Sequence, residues 1–246
     1  MLFEFMDFES FAKWYAELGK LKIFWAKPVE SISLLSRKKN IVGVKWIIRG
    51  KIRDAVLLIA EEQCDIESLK DYGGSTKILI VPETSPVDLS LVDARSALYF
   101  WNVDAKILEP NRDVEIKVYS EWDESELEKF KGIHKHSWGF FTPPRQHDHL
   151  ILLALLDSSP VGIAYLNVNN FNIDYGIHVI KPYWRRRIGT ALLAEILRLV
   201  RSMRASSISV VRVFRSIKGT SSDMRAVKFY RANNPFVRAS VYRIKS

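Results

Sequence analysis

Three consecutive arginines, a glycine and two further small residues make the chemically most explicit stretch of this sequence. The run from Asn172 to Ile180 is β-branched and mostly apolar (Ile173, Ile177, Val179, Ile180). Lys181-Pro182 follows, then Arg185-Arg186-Arg187, then Ile188-Gly189-Thr190-Ala191, and then a long apolar-periodic segment. The order predicts strand, tight loop, helix. Small residues let backbone N–H groups approach a ligand closely, and the start of a helix adds unpaired donors and a positive dipole end. Such a loop binds phosphate. A second group of chemically capable residues lies upstream in HKHSWGFFTPPRQHDH, where His134, His136, His147 and His149 suggest metal ligands. Metal sites need imidazoles that converge, usually with further ligands, and H-x-H pairs in an irregular segment do not supply that. No metal is expected.

Towards the C-terminus stands Asp223-Met-Arg-Ala226-Val-Lys-Phe229-Tyr230-Arg-Ala-Asn-Asn-Pro-Phe236. Together the two stretches resemble the GNAT N-acetyltransferases. The first is similar to that family's acetyl-CoA loop, R/Q-x-x-G-x-G/A after a strand, read here as Arg186-x-x-Gly189-x-Ala191. Counted from Pro182, the first position falls instead on Arg185, and one glycine of the usual R-R-R-G-I-G is missing before Ile188. The second is similar to N-x-x-A-x-x-[FL]-Y-x-x-x-G-F, with Asp223 in place of Asn and Asn234-Pro235 in place of Gly. The resemblance covers about the last 135 residues.

It implies a co-substrate and a set of roles. Acetyl-CoA would be held by Arg185, Arg186, Arg187, Ile188, Gly189, Thr190 and Ala191, with Asp223 and Tyr230 contributing from the second motif. The backbone amides of Val179 and Ile180 would polarise the thioester, and Tyr230 would protonate the departing sulfur, a phenol being ordinarily protonated at neutral pH. Counting back from Ile180, Asp174 falls where some members carry a glutamate base. His178, on the same strand and at the same parity, competes with it because an imidazole titrates near neutrality. Deprotonation through ordered water needs neither. Trp138, Phe140 and Phe141 match the region that shapes the acceptor pocket, or else they cover the core. The acceptor itself, small molecule or protein, is not specified.

Charge supports a phosphate ligand without naming it. Residues 1 to 109 hold 15 Lys+Arg against 16 Asp+Glu, whereas residues 110 to 246 hold 22 against 12. From Tyr175 onward there are 16 basic residues, and only Glu195 and Asp223 are acidic. Clustered arginines steer an anionic coenzyme and bond its phosphates. A nucleic-acid surface would show the same excess, and so would a solvated basic face. For Arg198, Arg201, Arg204, Arg212 and Arg215 these readings stay open. Nucleic acid is a possible but disfavoured partner, and a non-catalytic acyl-CoA sensor is the main alternative to an enzyme.

The elements that must position these groups divide the 246 residues in two. Glu109-Pro110-Asn111-Arg112-Asp113 is polar and turn-forming, so the expected domains are 1–109 and 110–246. In the second, Val114 to Tyr119 alternates as a strand and Asp123-Glu-Ser-Glu126 opens a helix. Leu150 to Leu156 and Val161 to Val168 form a hairpin, and Asn172 to Ile180 is the next strand. A helix begins near Thr190, a strand covers Ile208 to Val213, a helix follows Ser221-Ser222-Asp223, and Val237 to Ile244 ends the chain. The resemblance implies a GNAT-type mixed, largely antiparallel sheet flanked by helices.

The first half reads as a smaller α/β domain. Asp7 to Leu18 has helical apolar spacing, strands are expected at Ser31 to Leu35, Ile41 to Ile48, Ala55 to Ala60, Ile78 to Val81, Leu98 to Trp101 and Lys106 to Leu108, and helices near Ile66 to Tyr72 and Val87 to Arg95. Asn40 to Ile48 resembles Ser159 to Asn167, which suggests a degenerate GNAT-like copy. Glu61-Glu62-Gln63-Cys64-Asp65, acidic where donors would be needed, argues that such a copy binds no coenzyme; an unrelated domain is the other reading. One cysteine excludes an internal disulfide, and no secretory signal or spanning apolar run is visible. A soluble, cytoplasmic protein with no membrane partner is expected.

Overall fold

The computed structural model describes residues 29–36, 41–48, 51–60, 66–73, 76–139 and 141–245. The helical spacing of Asp7 to Leu18 and the acidic stretch Glu61 to Asp65 lie outside the described residues. The strands are β1 (Val29–Ser36), β2 (Ile41–Ile48), β3 (Lys51–Ile59), β4 (Thr76–Pro82), β5 (Val92–Asn102), β6 (Glu115–Tyr119), β7 (His149–Leu156), β8 (Ser159–Asn167), β9 (Asn172–Val179), β10 (Ser207–Val213) and β11 (Val237–Ile244). The α-helices are α1 (Glu124–Trp138), α2 (Ile188–Ser202) and α3 (Ser221–Ala232). Two compact units result: Met1–Tyr99 with Val211–Lys228 and Val237–Ser246, and Phe100–Val210 with Phe229–Phe236. The chain passes from one to the other inside β5, β10 and α3.

In the first unit β1, β2, β3, β4 and β11 pair in that order, antiparallel except for β3 with β4. Its core is apolar and aliphatic: Ile41, Val56, Leu58, Leu69, Leu79, Val81, Val92, Tyr242 and Ile244 cluster together. In the second unit β6, β7, β8 and β9 form an antiparallel meander, and β10 joins β9 in parallel. The expected class, a mixed α/β fold with largely antiparallel pairing, is the one observed.

Helices cover both faces of the second unit's sheet. A Cβ on Gly162 of β8 would point at Ile188 and Leu192 of α2. Its neighbours Ile163 and Tyr165, opposite in parity, cluster with Phe130 and Ile133 of α1. The entry to α1 is set locally by a reciprocal cap: Asp123 Oδ1 accepts from the Glu126 amide at 2.8 Å, and Glu126 Oε2 accepts from the Asp123 amide at 3.1 Å. Gly139, at φ 81, closes the helix. The sequence segment from His134 to His149 is therefore helical at its start, because Phe130, Ile133 and His134 extend one buried face of α1.

Other expectations shrink for local reasons. Val87 to Arg95 forms only a 3-10 turn at Leu89–Leu91, where Asp88 caps the Ser90 amide at 2.8 Å, and β5 takes over at Val92. Lys106 to Leu108 is not a strand. A turn with Ala105 N–H on Asn102 O (2.9 Å) ends β5, and the Lys106 carbonyl accepts from the Asn234 side chain. Ile66 to Tyr72 is reduced to the 3-10 turn Ile66–Leu69.

Two substitutions measure what holds the second unit. Phe130→Ala empties a fully buried site and is expected to cost about 3–5 kcal/mol; Asp123→Ala removes the cap and is expected to cost about 1 kcal/mol. Urea unfolding followed by circular dichroism reads both.

Candidate active site at a released strand edge

The register of β8 against β9 contains the feature that shapes the site. Gly162, Ile163 and Ala164 lie opposite Val179, His178 and Ile177, but Tyr165 lies opposite Asp174. Tyr175 and Gly176 are left over as a two-residue bulge, and both are left-handed, at φ 63 and 84. For Tyr175 that conformation costs about 1–2 kcal/mol. Gly176 suits the place on two counts, its positive φ and the Tyr230 hydroxyl, which a Cβ there would meet at 3.0 Å. On its other side β9 pairs with β10 only through Asn172 with Ser209 and Ile173 with Val210. Past the bulge, that edge of β9 is released.

Donor alternation tells which peptide groups face the opening. The Ile180 amide donates to Val161 O at 3.0 Å, towards β8, so the peptide groups of Ile177 and Val179 face the released edge. Ile177 N–H donates to the Tyr230 hydroxyl at 3.3 Å, and Val179 O accepts from the Trp184 indole at 2.7 Å. Of the two amides expected to serve a thioester, Val179 is turned to the edge, whereas Ile180 is spent on β8.

Asp174 lies just before the bulge and is fully buried. Its Oδ2 accepts from His149 Nε2 at 2.8 Å and from Asn167 Nδ2 at 3.1 Å, and its Oδ1 from Asn172 Nδ2 at 2.7 Å. Asn172 Oδ1 in turn accepts from Ser209 Oγ at 3.0 Å. Because the Asp174 carboxylate accepts, His149 presents an N–H at Nε2 to it, while Nδ1 lies 3.0 Å from the Arg145 amide and 3.2 Å from the Arg145 carbonyl. These residues come from β7, β8, β9 and β10. Both oxygens of this enclosed carboxylate are thus bonded to the protein's own side chains.

His178, the other expected base, is also buried but differently connected. Its Nε2 lies 2.8 Å from Tyr175 O and its Nδ1 2.9 Å from Ser137 Oγ on α1. The His134 ring is 4.6 Å away. Burial pushes the His134 imidazole down to about 4, so it is neutral near pH 7. Phe141 packs on His134 with centroids 5.7 Å apart, as part of the α1-side cluster. Trp138 ends α1, but its side chain, like the whole of Phe140, lies outside the described residues. His136 and His147 are exposed, and among the described residues no group of three or more His, Cys, Asp or Glu converges as a metal site.

The arginine loop follows β9 through the 3-10 turn Lys181–Tyr183. Arg185 and Arg187 are left-handed (φ 64 and 57), and Arg187 caps α2 by backbone alone, with no side-chain bond. The left-handed place that a glycine would fill without strain is thus held by Arg187. Ala191 N–H already donates to Arg187 O at 3.0 Å. The amides of Arg187, Ile188, Gly189 and Thr190 precede the first intrahelical bond, and the dipole is positive there. All three arginine side chains are exposed; Arg186 stacks over Tyr183, and its carbonyl accepts from Asn111 Nδ2 at 2.9 Å. Gly189 lets α2 approach Phe229, which a Cβ would meet at 3.0 Å.

Tyr230 is buried, with its ring against Trp101 and Phe229. Trp101 Nε1 donates to Asn233 O at 2.7 Å, and Asn234 takes the left-handed position (φ 60) after α3 that the glycine of the motif would occupy. In the first unit, Asp223 has both oxygens engaged. Oδ1 accepts from Arg212 Nη2 at 2.7 Å, and Oδ2 from the amide and hydroxyl of Thr220 at 2.8 and 2.7 Å and from the Arg215 amide at 3.2 Å. Thr220 is the cap of α3, and Asp223 completes it from the third helical position. Arg198 and Arg201 are likewise engaged, with Glu195 and Asp104.

Sequence reasoning passed over Ser137, Trp184, Asn167 and Asn172. Only the N-x-D spacing of Asn172 and Asp174 offered a signal, since a polar pair on an apolar strand must be satisfied in the interior.

Over residues 112–233 the chain matches the Acetyltransferase (GNAT) family. No curated protein matches it in sequence. Similar solved structures include a functionally unknown conserved protein from Staphylococcus epidermidis ATCC 12228, at 16% identity over 83% of this chain and 91% of that one, TM-score 0.48. A GCN5-related N-acetyltransferase from Kribbella flavida follows at 13% over 85% and 88%, TM-score 0.47. A Drosophila protein aligns at 10% over 97% and 88%, TM-score 0.49. Among the described residues no helix is long and apolar enough to cross a membrane.

Asp174→Ala strands several buried donors and is expected to lower stability by about 3 kcal/mol or more in urea unfolding. A second outcome concerns pH. Burial alone would push the Asp223 carboxyl up, but bonds from Thr220 and Arg212 hold it below the usual carboxylate value. A depressed folded-state pKa contributes stability above the unfolded value near 3.8 and loses it as pH falls through the folded one. Asp223→Asn should therefore lower the melting temperature at pH 7, and the gap to wild type should close below about pH 4.

Proposed function

Residues 112–233 form a domain of the acetyltransferase (GNAT) family, and from that premise we propose that the chain transfers an acetyl group from acetyl-CoA to a primary amine, by direct attack with both substrates bound. The observation that carries this reading is the released edge of β9, where Ile177 N–H meets the Tyr230 hydroxyl. Acetyl-CoA supplies the activated acyl group as a thioester, a pyrophosphate and an arm bearing amides.

The residues present fit those parts. With Ile177 N–H on Tyr230 and Val179 O on Trp184, the outward Ile177 carbonyl is the group that suits an amide N–H of the extended arm. The amides of Arg187 to Thr190, with Arg185, Arg186 and Arg187 around them, suit the pyrophosphate. Val179 N–H is the donor offered to the acyl oxygen, and the Tyr230 hydroxyl gives its proton to the leaving sulfur. Asp174 has no part in proton transfer on this reading; its enclosure assigns it to holding β9 in place. Nucleic acid is disfavoured further, because Arg198, Arg201 and Arg212 pair with carboxylates.

Acetyl-CoA at about 100 times its dissociation constant should stabilise the protein by roughly 2.7 kcal/mol, read as a rise in melting temperature. Arg186→Glu, at an exposed position, should lose most of that shift without changing the melting temperature of the free protein. Tyr230→Phe should keep the shift and lose at least about a hundredfold in thiol release with an amine acceptor. Stabilisation with no thiol release by the wild type would point to a sensor, and no stabilisation would reject coenzyme binding.

A further inference from the structure

The pair Ser137 and His178 has the arrangement of an activated hydroxyl. A carbonyl can only accept, so His178 Nε2, 2.8 Å from Tyr175 O, carries the ring proton. Its Nδ1 is then the lone-pair nitrogen and accepts from Ser137 Oγ, 2.9 Å away. Hydroxyl, base and an orienting acceptor stand in a row, as they must for a hydroxyl to shed its proton on demand. The bulge supplies the third member: the left-handed turn at Tyr175 and Gly176 brings the Tyr175 carbonyl back to the ring three residues on. His178 is buried while Ser137 is partly exposed at the end of α1, so traffic with a substrate runs through the serine.

We propose that Ser137 is the catalytic residue that takes the proton from the acceptor ammonium, with His178 as the positioning partner that receives the proton Ser137 gives up. The proposal rests on the acetyl-transfer reading above. The ammonium R–NH3+ passes one proton to Ser137 Oγ as the hydroxyl proton moves to His178 Nδ1. The resulting R–NH2 attacks the thioester carbon; the C–N bond forms and the C–S bond breaks, its electron pair leaving on sulfur. The nitrogen loses a second proton, which reaches the sulfur through Tyr230, and the imidazolium returns its proton to water through Ser137. The sum is R–NH3+ plus thioester giving amide, thiol and one released proton. His134, 4.6 Å from His178, is held neutral and does not repel the imidazolium.

The pair matters only for amines that arrive protonated. Thiol release from acetyl-CoA at pH 7 is therefore compared for ethylamine, almost wholly protonated, and 2,2,2-trifluoroethylamine, almost wholly neutral. Ser137→Ala and His178→Gln should each lower the ratio of kcat/KM for ethylamine over trifluoroethylamine at least roughly tenfold, and Ser137→Thr should restore most of it. A purely structural role would depress both amines alike, so an unchanged ratio in variants that acetyl-CoA still stabilises against heat overturns the pair. If acetyl-CoA does not stabilise the wild type, or neither amine releases thiol, the transfer reading falls and the proposal with it.

Discussion

The second unit depends on one buried carboxylate. Asp174 takes bonds from His149, Asn167 and Asn172, and Asn172 passes the connection to Ser209. Four strands are thereby tied at one level of the sheet. Those bonds are short, fully enclosed and mutually satisfied, the condition under which a buried polar network gives rigidity in place of a penalty. Directly after this point the strand takes two left-handed residues and parts from β10. The anchor thus lies directly beside the two residues that carry the cost of the left-handed bulge.

From that anchor the chemistry of the site follows in order. The bulge turns the Tyr175 carbonyl onto His178 and makes room at Gly176 for the Tyr230 hydroxyl. The parting of β9 from β10 turns the peptide groups of Ile177 and Val179 outward. Of these groups the Ile177 N–H meets the Tyr230 hydroxyl and the Val179 carbonyl meets the Trp184 indole. Beyond the strand, the same chain enters a helix whose first amides have no side-chain cap. On the proposed reading, the groups for thioester, phosphate and proton chemistry lie along about fifteen consecutive residues, with Tyr230 and Ser137 brought in from elsewhere.

Each departure from the family's motif has a physical substitute. Arg187 accepts the strain of a left-handed turn in place of a missing glycine, and Asn234 does so after α3, where asparagine is the residue best able to. Asp223 replaces asparagine and becomes a reciprocal cap with Thr220 and a partner for Arg212, commitments that occupy both of its oxygens.

The sequence by itself determined the strands and helices of residues 110–246 within a few positions, the arginine loop and the resemblance to a family, because all of these are written in local periodicity and in spacing along one segment. It misjudged short polar stretches such as Val87 to Arg95, where one side-chain cap outweighs helical spacing. Which peptide group of β9 points outward, what encloses Asp174 and what faces His178 were decided only by tertiary structure. Register is the physical reason. Two extra residues on one strand reverse nothing in its composition, yet they set which donors are spent on β8 and which are released, and no pattern within Asn172 to Ile180 records the strand across from it.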